Sequence, residues 1–379
     1  MSKPFDCPLW KGALSLESGL RRRLCCHDET GSSESFTGDL SNFEILDNVK
    51  KTSAQGAIPE NCKGCFSIEE NGGYSPRNYY QDFFNENKFS SDSLKYIDIT
   101  FENICNLSCF SCKPIYSNKI DNEFRKLDIP FKSTGLNASE FKERFDSFKS
   151  LALSKISNRS LVVVSGGEPA ISKNVKDFLD DLSEIEHANT LTLRVFSNLT
   201  LPADWILKYI SKFKRVEFVI SIDAVEDRAE YIRFPSRWDA IDKNFNDLID
   251  KTTSHKNFEV NVHSVLSILN FDHIPRLINY FNSSKLSLFP SFTLLSSPTI
   301  YMIENLPKDK LLSFQKSNLD YLDSISISPS NQKRLQDLKS LIQGLKSSQD
   351  NQLLELILHH RKLDTLRKTA LLDEIAYLR

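Results

Sequence analysis

The chain has 379 residues, is 40% hydrophobic and 26% charged, and carries a formal net charge of −2. That composition is ordinary for a soluble globular protein, and so small a charge supplies no global basic field for nucleic acid, so none is expected as a partner. No run of about 18 apolar residues occurs, so no membrane span is expected.

Residues 1–7 contain no apolar signal region, which makes the reducing cytoplasm the expected location. There, cysteines bind metal in preference to forming disulfides. All eight cysteines fall in the first 112 residues.

Residues 1 to about 90 read as irregular and hold Cys7, Cys25, Cys26, Cys62 and Cys65. From about 95 the texture becomes alternating. Apolar, β-branched segments recur at 95–104, 160–165, 190–197, 214–222, 257–267 and 286–295, with helical periodicity between them, as at 175–182. Such alternation reads as parallel βαβ units. Six strands suit an open sheet or a partial barrel, and in either the ligand sits at the carboxyl ends of the strands. From about 303 onward the chain reads as helical. One apolar stripe runs through Leu335, Leu338, Leu341, Ile342 and Leu345, and a second through Leu353, Leu354, Leu356, Ile357 and Leu358.

Two motifs carry chemistry. After the first strand comes Cys105-Asn106-Leu107-Ser108-Cys109-Phe110-Ser111-Cys112, a C-x3-C-x2-C run with no fourth cysteine close by. Three thiolates hold three corners of a [4Fe–4S] cluster and leave one iron open to a substrate or cofactor, whereas a four-thiolate cluster is closed. After the second strand comes Ser165-Gly166-Gly167-Glu168-Pro169. Its glycines permit close backbone approach to a ligand, and its carboxylate can accept hydrogen bonds from an ammonium. Taken alone, the same residues make a strand-to-helix turn with Pro169 near the first helical position.

Triad and glycine motif together resemble the radical S-adenosylmethionine family over roughly residues 95–295. The resemblance implies a partial (β/α)6 TIM-like barrel, giving an α/β fold. It also implies reductive cleavage of S-adenosylmethionine to a 5′-deoxyadenosyl radical that abstracts hydrogen from substrate. Cys105, Cys109 and Cys112 would hold the cluster, while Ser165, Gly166, Gly167, Glu168 and Pro169 would meet the methionyl amine. Ser197 and Asn198, ending the third of these strands, stand where the family often has a Thr-Asn pair. Ser221 ends the fourth, and with Arg233 it matches family positions that bind the cofactor carboxylate, a group suited to a guanidinium fork. Asp223 is a further candidate for ribose or substrate. The chain departs from the family at Ser111, where a large residue is common; Phe110 lies one place earlier.

The amino-terminal cysteines resemble a twitch, or SPASM-like, auxiliary-cluster module, through Cys7, Cys25, Cys62 and Cys65 followed by Glu69-x2-Gly72-x2-Ser75-x-Arg77. A second [4Fe–4S] cluster is implied, with Cys26 as an alternative ligand. Four thiolates also suit a tetrahedral zinc. His263, on the fifth strand, is a weak further site candidate, and His359 and His360 read as core or surface.

The expected division is an irregular Cys-rich auxiliary domain at 1–92, the barrel at 93–300 and a helical cap at 301–379. Expected partners are an electron donor such as flavodoxin or ferredoxin and a substrate, with a peptide preferred. The rival readings are a dehydrogenase or epimerase acting on a small molecule such as an amino sugar, and a non-catalytic iron–sulfur or zinc scaffold.

Overall fold

Leu161, Val162, Val163 and Val164 are each at most 5% exposed, as a strand covered on both faces of a parallel sheet requires. In the computed structural model they end β5 (Ile156–Val164). The structure describes residues 5–371 and 375, apart from 29, 42, 71, 88, 90–92, 132–136 and 349–351. The domain boundary expected at residue 92 lies outside the described residues.

The remaining strands are β1 (Ala13–Glu17), β2 (Arg21–Arg23), β3 (Glu34–Ser35), β4 (Leu94–Ile99), β6 (Thr192–Ser197), β7 (Arg215–Ser221), β8 (Phe258–Leu266) and β9 (Ser291–Leu294). They form one mostly parallel α/β sheet in the order β3-β2-β1-β4-β5-β6-β7-β8-β9. The order suits the partial barrel expected from the sequence. β4 pairs in parallel with β5 (Ile97↔Val162), β5 with β6 (Val162↔Leu193), and β8 with β9 (Ser264↔Phe292).

The helices are α1 (Glu44–Ala54), α2 (Lys63–Glu70), α3 (Pro76–Asn87), α4 (Asn118–Lys126), α5 (Ala138–Lys155), α6 (Lys173–Ser183), α7 (Asp204–Leu207), α8 (Glu226–Ile232), α9 (Trp238–Thr252), α10 (Ile274–Asn282), α11 (Lys308–Ser324), α12 (Gln332–Gly344) and α13 (Leu353–Arg367). No described helix is long and apolar enough to cross a membrane.

The amino-terminal region departs from the expected irregularity. β1 pairs in parallel with β4 (Leu14↔Ile97) and antiparallel with β2 (Leu16↔Arg22). Its polar positions are satisfied inside the fold: Ser15 donates to Asp98 at 2.8 Å, and Asp98 pairs with Arg23 at 2.6 Å. A short strand with polar alternate residues gives little sequence signal.

The chain divides into two compact units. The first comprises Met1–Asn103, Thr134–Phe196 and Ile206–Glu217; the second comprises Ile104–Ser133, Ser197–Trp205 and Phe218–Arg379. In the first, α5 and α6 bury Phe148 and Phe178 against Phe101, at ring distances of 5.5 and 5.6 Å. In the second, one core joins Phe110, Tyr231, Tyr301, Leu338, Ile342, Leu356 and Leu363. The second apolar stripe is only partly used, since Leu356 is buried while Leu354 is 69% exposed.

Candidate active site

The cysteine triad occupies the loop before α4, in the second unit. Two apolar residues anchor it, Leu107 at 2% exposure and Phe110 at 4%. Backbone and side-chain bonds fix the rest. Ser117 caps α4 and donates to Leu107 O at 2.7 Å; Asn118 Oδ1 accepts from Cys105 N at 3.0 Å. Ser108 N donates to Phe234 O at 2.6 Å and Phe110 N to Ile232 O at 3.0 Å. Cys112 N turns back onto Cys109 O at 3.1 Å. Phe110 stacks on His360 at 4.5 Å and meets Tyr231 at 5.2 Å. It therefore serves as a core anchor.

Burial pushes the Cys109 thiol up, while the nearby Arg233 works to lower it. Cys112 is raised by burial and then by Cys109 and Cys105. The three sulfurs thus share one field, in which collective ionisation needs a positive partner. None of the eight cysteines forms a disulfide.

Arg233 follows α8 and Asp223 follows β7. Arg233 Nη1 donates to Asp223 Oδ2 at 2.7 Å, and Asp223 Oδ1 accepts from Val265 N at 2.9 Å. Burial opposes the Arg233 charge, but Cys109 and Asp223 outweigh it and hold the guanidinium protonated. Its Nε is buried with no hydrogen-bond partner. A buried cation with a donor to spare fits the carboxylate of an amino-acid cofactor. Ser221 is half-buried at the end of β7.

Asn198 is fastened to the cysteine loop. Its Nδ2 donates to Asn106 Oδ1 at 2.9 Å, and its Oδ1 accepts from Thr200 N at 3.0 Å. Asn106 Nδ2 in turn donates to Thr200 Oγ1 at 2.7 Å. These bonds tie the end of β6 to the cysteine loop. Ser197 Oγ accepts from Leu199 N at 3.1 Å, a local turn bond. Asn106 and Thr200 escaped the sequence reading, although an amide between two cysteines of such a loop was a visible signal.

The glycine motif belongs to the first unit. Ser165 N donates to Ile99 O at 2.9 Å. Gly166 adopts φ +74°, and a Cβ there would stand 2.1 Å from Thr100 Cγ2. The close approach this glycine permits is therefore to β4's continuation, which is a packing reason for the residue. Glu168, 1% exposed, accepts from Ala170 N at 3.1 Å through Oε1. Pro169 does not open the helix: α6 begins at Lys173, capped by Ser172, whose Oγ accepts from Val175 N at 3.1 Å.

In the same unit Cys7, Cys25, Cys62 and Cys65 line one pocket with His27, Arg77 and Tyr80, enclosing about 400 Å³ with its open mouth. Burial pushes Cys7 and Cys62 each up to about 12. Cys7 and Cys62 also pack with Leu9, Trp10 and Leu24, so this segment has an apolar core of its own. Cys26 does not line the pocket. Its sulfur lies 3.3 Å from Tyr96 Oη and 3.7 Å from Tyr80 Oη.

The Glu69/Ser75/Arg77 trio braces the rim. Arg77 pairs with Glu69, and Ser75 Oγ donates to Glu69 at 2.5 Å. Burial raises the Cys65 thiol, against the hydrogen bond from Arg77 N.

Among the described residues no group of three or more His, Cys, Asp or Glu stands ready to hold a single ion. Tetrahedral zinc with Zn–S of ~2.3 Å brings its sulfurs within roughly 3.8 Å of each other. Thiolates at the corners of a cubane stand farther apart, and four cysteines around one pocket are a donor set that suits either group. His263 turns to β9, with Nδ1 3.1 Å from Ser291 Oγ, and is no part of either set.

No family model and no curated protein matches this chain. Among solved structures, the chain is similar to native anSMEcpe with bound AdoMet and Cp18Cys peptide, at 18% identity and TM-score 0.41, over 58% of this chain and 57% of that one. It is also similar to Streptococcus suis SuiB bound to precursor peptide SuiA, at 15% identity and TM-score 0.38, over 74% and 60%. A third is TYW1 with a lysine-pyruvate adduct bound, at 17% identity and TM-score 0.31, over 56% and 69%. The match thus spans little over half the length of anSMEcpe.

Proposed function

We propose that this chain is a radical S-adenosylmethionine enzyme, with Cys105, Cys109 and Cys112 holding a [4Fe–4S] cluster. The observation that carries this reading is the fastened three-cysteine loop beside Arg233, a buried cation whose Nε has no protein partner. When bound, the cluster would supply one electron for reductive cleavage of S-adenosylmethionine to a 5′-deoxyadenosyl radical. The chain's own residues do the rest. Asn118, Ser117 and Asn106 hold the loop's shape, and Arg233, steadied by Asp223, offers a fork to the methionyl carboxylate. Ser221 and the 165–169 turn are assigned to the same cofactor by the motif.

Cys7, Cys25, Cys62 and Cys65 are assigned to a second cluster, supported by their common pocket. That cluster would accept an electron from a substrate radical or bind substrate. The substrate class we favour is a peptide, on the sequence resemblance, and the electron donor would be a flavodoxin or ferredoxin.

The test is anaerobic reconstitution with iron and sulfide, then dithionite and S-adenosylmethionine. Two clusters predict about eight irons per chain, and one predicts about four. Release of 5′-deoxyadenosine, abolished by joint replacement of Cys105, Cys109 and Cys112 with Ala, is the expected result. A fully loaded protein that releases none contradicts the reading.

A further inference from the structure

The last helix ends on the cysteine loop. Arg367, in the final turn of α13, donates through Nη2 to Ser108 O at 2.8 Å, the carbonyl immediately before Cys109. The same guanidinium grips Glu123 of α4, Nε to Oε1 at 2.9 Å and Nη2 to Oε2 at 2.7 Å. It lies over the Phe110 ring at 4.5 Å and the Phe234 ring at 5.2 Å. The Arg367 side chain is 2% exposed and Glu123's is 13% exposed. Arg367 Nη1 is buried with no hydrogen-bond partner.

A staple needs less than this. One bidentate pair would fasten α13 to α4, yet the cation is also aimed at the backbone of the loop and buried against its aromatic anchor. In a low-dielectric site a fixed cation stabilises whichever state of a neighbouring group is more negative. For a one-electron couple the more negative state is the reduced one, and net charge and hydrogen bonding are levers on cluster potential. Glu123 partly offsets the cation and so pulls the other way.

We propose that Arg367 is a positioning residue that raises the reduction potential of the cluster held by Cys105, Cys109 and Cys112, with Glu123 moderating it. The inference rests on the reading given under Proposed function. The step concerned is addition of one electron to the oxidised cluster from an external one-electron reductant, with no proton taken up and no bond broken.

The experiment is a dithionite redox titration of reconstituted full-length protein, following the electron paramagnetic resonance signal that responds to S-adenosylmethionine. R367M should lower the midpoint by at least the equivalent of a tenfold change in the oxidised-to-reduced ratio, about 59 mV for one electron. E123Q should shift it upward, and R367K should stay near the native value. A purely structural role moves both R367M and E123Q the same way, through a loosened loop, or moves neither; either result overturns the inference. If R367M fails to fold, E123Q decides, and an unshifted midpoint there refutes the proposal. In metal-free protein, amide exchange at residues 108–110 should quicken in R367M; unchanged exchange contradicts the loop contact. Native protein that loads no cluster at the triad overturns the underlying reading first; loading with unmoved potentials overturns only this inference.

Discussion

Asn198 Nδ2 stands 2.9 Å from Asn106 Oδ1, joining the end of β6 to the residue that follows the first cysteine of the triad. The amide braces the loop, whereas the sequence resemblance expects it at the cofactor. The two roles make different demands on a mutant.

Asn198→Ala takes from Asn106 Oδ1 and Thr200 N the hydrogen bonds they make to Asn198, at a cost of about 1–3 kcal/mol. Denaturant midpoints should fall accordingly, and iron retention at the triad should weaken. Affinity for S-adenosylmethionine in the fraction that keeps iron should be unchanged. A large affinity loss at full iron content would instead put Asn198 on the cofactor.

Gly166→Ala should be severely destabilising, by about 2–5 kcal/mol from left-handed strain plus overpacking. The added Cβ would stand 2.1 Å from Thr100 Cγ2 and 2.8 Å from Thr100 Cβ, so Thr100→Ala gives little relief. Thr100→Gly in the same chain should recover the overpacking part and leave the φ penalty. Additive losses in that double-mutant cycle would refute the packing account.

Cys25 and Cys26 should separate cleanly. Cys25→Ala is expected to cost the iron of the amino-terminal set, because Cys25 lines the pocket. Cys26→Ala should leave iron content intact while disturbing the Tyr80–Tyr96 pair, whose hydroxyls lie 3.0 Å apart. Iron analysis after reconstitution reads the difference, and equal losses would reverse the assignment.

His360 predicts acid sensitivity. It is 4% exposed, its Nδ1 lies 3.0 Å from Tyr231 Oη, and burial first, then His359 and Arg367, press its pKa down to about 3. The unfolded value is near 6.5, so the unfolded chain binds the proton that the native one refuses. The native advantage is complete above about pH 6.5 and shrinks as pH falls, by about 2 kcal/mol at pH 5. His360→Phe should flatten that part of the pH–stability curve. A slope that persists unchanged assigns the effect elsewhere.

The six strands from β4 to β9 were legible because β-branched runs such as 161–164 tolerate burial on both faces. The triad was legible because thiols at that spacing have few other uses. β1 was not, because the polar side chains of Ser15 and Glu17 are satisfied only by tertiary partners. Cys26 could not be told from Cys25, since one residue of chain turns a side chain to the opposite side and no spacing says which is inward. Arg367 was out of reach for a different reason: Ser108 lies 259 residues away in sequence. Gly166 was read for close approach to a ligand, while its close approach to Thr100 depends on a tertiary neighbour that no local pattern shows.

The most direct measurement is the electron paramagnetic resonance spectrum of the reduced triad cluster with and without S-adenosylmethionine labelled in its amine and carboxylate. An accessible iron beside Arg233 predicts a changed spectrum with hyperfine coupling to the labels. A spectrum indifferent to the compound, from protein with the triad fully loaded, would contradict the account at its centre.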